Sequence, residues 1–157
     1  EEGPNVLEFN ARFGDPEAQV ILPRLKGDFA ASLLEIAQGR FPKQSFDIDT
    51  RPCVTVVLAS QGYPGPTPKG KVIEGLEAAA KEKDVFLFHA GTSLQDGKFV
   101  TNGGRVLAVS ALGKTLEDAV KRAYQAASKI HFDGVYYRRD IAYRALSKGS
   151  SYEKAAC

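Results

Sequence analysis

Alternating apolar and polar positions divide the chain into short strands with a few helical stretches between them. In residues 6–11, Leu7, Phe9 and Ala11 alternate with Glu8 and Asn10, the spacing of a strand that buries one face. Glu8 and Asn10, with Arg12 if the strand runs on, then share the opposite, polar face. Gly14 permits a sharp turn, and Asp15-Pro16 predicts a helix N-cap followed by a first-turn proline. From Asp15 to about Gly39 the spacing is helical, with Val20, Ile21 and Leu25 as one apolar group and Leu33, Leu34, Ile36 and Ala37 as another. Pro23 and Gly27-Asp28 interrupt them, so two helices or one broken helix are expected, Asp28 capping the second and Gly39 ending it.

The polar, turn-rich stretch from Arg40 to Arg51 marks a domain boundary, dividing the chain into residues 1–45 and 46–157. Beyond it Val54, Val56 and Leu58 alternate in a strand, and a proline- and glycine-rich loop runs from Gln61 to Gly70. A short strand and a helical piece (Glu77 to Glu82) are expected between Val72 and Lys83, then a compact apolar strand from Val85 to His89. Asp96-Gly97 signals a hairpin, and Asn102-Gly103-Gly104 a turn into a strand from Arg105 to Leu112. Thr115 with Asp118 three residues on caps a long helix whose apolar stripe is Ala119, Ala123, Ala126 and Ile130. Phe132 to Tyr137 closes the domain, Ile141 to Leu146 forms a last short element, and Ser147 onward reads as a frayed tail. Mainly antiparallel strands with one long helix after them make this an α+β domain rather than a βαβ array.

Composition narrows the function classes. With 43% hydrophobic and 25% charged residues the chain can bury a core. A net charge of +2 gives no basic surface on the scale a nucleic acid needs. No apolar run approaches the ~20 residues of a membrane span, and no signal-peptide pattern opens the chain. Two cysteines, Cys53 and Cys157, make no disulfide framework, which fits a reducing cytoplasm. The lack of methionine and the opening on Glu1-Glu2 read as a fragment that misses whatever precedes the first strand.

Two places suggest chemistry. The carboxylate of Glu8 and the amide carbonyl of Asn10 suit a hard cation such as Mg²⁺ beside polyphosphate, and Arg12 offers a fork to a phosphate or carboxylate. On spacing alone a wet surface strand is the commoner explanation, since alternating strands are common. The turn Asn102-Gly103-Gly104-Arg105 can present backbone amides and a fixed cation to a phosphate, or it is a tight hairpin with a solvated arginine. It lacks the ending of a Walker motif and opens no helix. His89 and His131 stand alone, with nothing spaced for a triad or a zinc site. Arg138-Arg139-Asp140 reads as a solvated charge run.

The stretch Glu8-Phe9-Asn10-Ala11-Arg12-Phe13-Gly14-Asp15-Pro16-Glu17 resembles the signature of the phosphoribosylamine–glycine ligase family, the glycinamide ribonucleotide synthetases of the ATP-grasp superfamily. The resemblance continues in order through Gly62-Tyr63-Pro64-Gly65, His89-Ala90-Gly91-Thr92 and Gly103-Gly104-Arg105-Val106-Leu107-Ala108-Val109, with one departure at Val20, where the family often has Thr. It implies the C-terminal segment of an ATP-grasp lobe followed by a small α+β C-terminal domain. It also implies ATP-dependent condensation of glycine with 5-phosphoribosylamine through glycyl phosphate, in purine biosynthesis. Glu8 and Asn10 would ligate nucleotide-bound Mg²⁺ or Mn²⁺, and Arg12 would meet the substrate carboxylate or the γ-phosphate. Gly103, Gly104 and Arg105 would bind the ribonucleotide. The missing N-terminal portion would supply the ATP pocket, so the chain by itself is expected to be an inactive binding or structural piece. Another carboxylate–amine ligase of the ATP-grasp group is the remaining alternative.

Overall fold

The structure, a computed structural model, describes residues 3, 6, 9–41 and 47–152, with side chains through residue 147. Its elements follow in order as α1 (Ala18–Ile21), a 3-10 turn (Leu22–Arg24), β1 (Leu25–Lys26), α2 (Phe29–Ala37), β2 (Asp47–Ile48) and β3 (Cys53–Ser60). Then come α3 (Leu76–Ala80), β4 (Val85–His89), β5 (Thr92–Gln95), β6 (Lys98–Thr101), β7 (Arg105–Leu112), α4 (Leu116–Ala127), β8 (Val135–Tyr136) and α5 (Tyr143–Tyr152).

Four strands form an antiparallel sheet in the order β4-β7-β3-β8. Its register explains the core. Val54, Val56 and Leu58 stand opposite Ala111, Val109 and Leu107, and Val85 and Leu87 opposite Ala111 and Val109, so one face is apolar across three strands. Helix α4 covers that face with Ala119, Ala123 and Ala126, all fully buried. Small side chains let the helix sit close to the sheet, and Phe132 and Ile130 fill the space beyond its end. Thr115 caps α4 by accepting from the Asp118 amide at 3.2 Å, and Asp28 caps α2 by accepting from the Ala31 amide at 2.9 Å. The β5–β6 hairpin turns at Asp96 and Gly97, both left-handed with φ of 48° and 74°, the conformation an Asp-Gly turn supplies. Mainly antiparallel strands with one twelve-residue helix packed on them make the α+β architecture that the pattern predicts.

Four local expectations differ from the fold. Val6 and Phe9 to Ala11 carry no strand, and Phe9 is 91% exposed; among the described residues no strand pairs with this segment. Asp15 and Pro16 do not start a helix. Helix α1 begins at Ala18 with no side-chain cap and no acidic residue in its first turn, because the Asp15 carboxylate is taken by Arg105 and by the Gln19 amide. The strand expected after Val72 is reduced to single bridges, Val72 to Val100 and Glu74 to His131. Helix α5 runs on to Tyr152 where a frayed tail was expected from Ser147.

Candidate functional site

Three of the motifs singled out in the sequence meet at one corner of the sheet. The Gly91 amide donates to the Arg105 carbonyl at 2.8 Å, and the Asn102 amide to the Gly91 carbonyl at 2.7 Å. This brings two glycines into backbone contact: a Cβ on Gly91 would lie 2.7 Å from both the Gly103 Cα and the Arg105 carbonyl oxygen. On the other side the Ser60 amide and hydroxyl donate to the carbonyls of Gly104 and Gly103, at 2.8 and 3.2 Å. The ring of Tyr63 lies so close to Gly104 that a Cβ there would stand 2.5 Å from its Cδ2. The turn is thus held by its carbonyls, while the Gly103 and Gly104 amides donate to none of the described residues.

Arg105 leaves this corner towards the N-terminal segment. Its Nη2 is 3.0 Å from Asp15 Oδ2 and its Nη1 donates to the Asp15 carbonyl at 3.2 Å. The fork is therefore partnered, although its side chain stays 39% exposed. It binds the segment that begins at Asn10 and Arg12, both exposed, where Arg12 Nη1 donates to Asn10 Oδ1 and, at 3.2 Å, to the Phe13 carbonyl. Asn10 Oδ1 is a neutral oxygen of the type that ligates Mg²⁺ or Mn²⁺, and in this structure it accepts from Arg12. Glu8 lies outside the described residues. Among those described, no group of three or more His, Cys, Asp or Glu gathers as a metal site.

Beside Arg105 opens a cleft of about 320 Å³. Its floor is Thr55, Val57 and Ala59, the β3 positions that alternate with the helix-facing ones, and Pro16, Tyr63, Tyr136 and Arg138 stand round it. Helix α1 packs against β3 and β7 next to it. Arg138 holds both oxygens of Asp140, Nε to Oδ1 at 2.9 Å and Nη2 to Oδ2 at 2.7 Å. That hydrogen-bonded pair keeps the Asp140 carboxyl below its usual range and the guanidinium above its own. Sequence reasoning missed Arg138, Tyr63 and Asp15 as parts of this place. Only a faint signal pointed to Arg138: it lies two residues from Tyr136, hence on the same side of an extended chain.

The remaining candidates play no part here. His89, exposed at the end of β4, has its Nδ1 3.0 Å from Thr92 Oγ1 and its ring 4.4 Å from that of Phe99. Burial pushes the Cys53 thiol up to about 11, far from thiolate reactivity. No helix among the described residues is long and apolar enough to cross a membrane.

Residues 53–144 match a family described as "Phosphoribosylglycinamide synthetase, C domain". The chain is 50% identical, over 90% of its length and 33% of the relative's, to the phosphoribosylamine–glycine ligase of Caldanaerobacter subterraneus subsp. tengcongensis. It is 49% identical to the trifunctional purine biosynthetic protein adenosine-3 of Gallus gallus, covering 98% of the chain and 16% of that protein. The crystal structure of the phosphoribosylamine–glycine ligase from Thermotoga maritima superposes with a TM-score of 0.72 at 41% identity, over 87% of this chain and 33% of that one. The chain thus spans about a third of the length of the curated ligases it matches.

Proposed function

The chain belongs to the phosphoribosylglycinamide synthetase family, and from that membership we propose that it is the C-terminal part of a cytoplasmic ligase joining glycine to 5-phosphoribosylamine at the expense of ATP, a step of purine biosynthesis. In this reading residues 1–45 end the nucleotide-binding ATP-grasp lobe and residues 46–157 form the C-terminal domain. Glu8 and Asn10 hold Mg²⁺ or Mn²⁺, which when bound neutralises polyphosphate charge. Arg12 meets the glycine carboxylate or the γ-phosphate with its planar fork. The amides of Gly103 and Gly104, with the guanidinium of Arg105, take the 5-phosphate of the amine substrate.

The observation that carries the reading is the contact between Arg105 and Asp15. It joins the segment bearing Asn10 and Arg12 to the glycine turn, which supports reading the metal-side and sugar-side residues as one site. Holding both substrates in one place lowers the entropic part of the barrier, which is how an enzyme without a covalent side-chain nucleophile gains rate.

The test uses the whole protein that carries this chain. Arg105→Ala should raise the KM for 5-phosphoribosylamine while those for ATP and glycine stay nearly constant. A charge-assisted bond to phosphate is worth about 1.5–3 kcal/mol, which corresponds to roughly ten- to a hundredfold. An unchanged KM for the amine in a folded variant would remove Arg105 from the substrate site.

A further inference from the structure

Arg138 is the charged residue of the cleft that the reading above leaves without work. It is held unusually well for an exposed arginine. Asp140 fixes the plane of its guanidinium through two parallel bonds. Tyr124, on α4, donates its hydroxyl to the Arg138 carbonyl at 2.8 Å and accepts from the Ile141 amide at 3.1 Å, tying the backbone to the helix. The neighbouring Arg139 is drawn aside, its guanidinium carbon 4.4 Å from the centre of the Tyr137 ring. A surface ion pair adds little to the stability of a fold, so stability alone gives little reason to anchor this side chain at both ends. What the anchoring achieves is a preset fork at the rim of the cleft. Its Nη1 donates to none of the described residues.

Arg105 and Arg138 border the same cleft, whose lining also includes Val57, Ala59 and the rings of Tyr63 and Tyr136. Cations at the rim and an apolar, aromatic interior suit a ligand with a carbon-rich ring and a terminal anion. The volume of about 320 Å³ lies at the low end for small-molecule sites, which fits a pentose phosphate. Two carboxylates, Asp15 and Asp140, oppose an anion here. Asp140 is fully engaged by Arg138, whereas Asp15 is about half exposed and can yield its place on Arg105 to a phosphate carrying up to two charges.

We propose that Arg138 is a second phosphate-binding residue of this site, which shares with Arg105 the phosphomonoester of a sugar phosphate whose sugar enters the cleft that both residues line. The proposal rests on the ligase reading for the identity of the sugar phosphate, but its geometry belongs wholly to this chain.

The measurement is calorimetric titration of the whole protein with ribose 5-phosphate, with ribose and inorganic phosphate as controls, alongside the KM for each ligase substrate. Arg138→Ala should raise the dissociation constant for ribose 5-phosphate about tenfold, a single half-exposed charge-assisted bond. Arg138→Lys should recover part of the loss, since the charge remains and the fork does not. The KM for glycine should stay constant in both. If Arg138→Ala unfolds the protein, Arg138→Gln, which can keep one bond to Asp140, takes its place with the same expectation. A dissociation constant unchanged by Arg138→Ala but raised by Arg105→Ala overturns the proposal and leaves the ligase reading standing. Constants unchanged in both variants overturn both phosphate assignments. Looser ribose 5-phosphate binding in Arg138→Ala, in a protein that forms no ligation product, upholds the proposal and overturns the ligase reading.

Discussion

At the glycine corner the closest contacts are between backbones, so they cannot be relieved by a side-chain rotation. Gly91→Ala would press a Cβ against the Gly103 Cα and the Arg105 carbonyl. It should therefore cost about 1–3 kcal/mol, as overpacking of a close-packed site does. Gly104→Ala meets the half-exposed ring of Tyr63, which has room to turn, and should cost less. Urea denaturation of both variants measures the difference; a Gly91→Ala protein as stable as the parent would show that the corner is loosely held. The turn at Asn102-Gly103-Gly104 was legible in the sequence, because glycine pairs mark turns. Its partner Gly91 was legible only through family likeness. A contact between distant backbones imposes no period on the residues around it, and for the same reason Asp15 could not be matched to Arg105.

Elements whose apolar residues recur at a fixed period were read correctly, including β3, β4, β7, the β5–β6 hairpin and α4. Each has a strong local signal, whether a β-branched alternation, an Asp-Gly turn or a threonine cap, and the packing agrees with it. The segment from residue 6 to 11 has the same alternation without a neighbouring strand among the described residues, and alternation alone does not make a sheet. Where the linker enters β3 the elements are joined by charge. Arg51 reaches both Asp49, just after β2, and Asp84, just before β4, at 2.8 and 3.1 Å. Hydrogen bonds from the Arg51 side chain, then from its amide, hold the Asp49 carboxyl well below its ordinary value of 3.8. A carboxyl lowered on folding contributes stability above its unfolded pKa, and that contribution is lost as pH falls towards the folded one. Stability should accordingly drop more steeply below about pH 4 in the parent than in Arg51→Met, which keeps the amide bond but loses the guanidinium. Chemical denaturation at stepped pH reads this directly, and parallel curves for the two proteins would contradict it.

For the molecule as a whole, the sheet and its helix form a self-contained core, whereas the proposed chemistry needs partners that the chain does not contain. Purified alone, the 157 residues should show no glycine-dependent formation of ADP; measurable turnover would mean that the nucleotide site is built differently from the reading given above. Fold class was legible from pattern alone, since strands of this kind with one long helix allow few arrangements. The cleft was not, because it is made by a loop, a strand face and the residues after β8, which come together only in three dimensions. The order of that sheet has a further consequence, for how the chain reaches its native state. The central pair, β3 and β7, is separated along the chain by β4, α3 and the β5–β6 hairpin, so its first contact must close a long loop before any burial rewards it. Local pieces such as α4 and the hairpin can form in microseconds. The sheet must wait for its distant strand, and the overall rate should fall in the slower range of mixed topologies, set by that closure and not by helix formation.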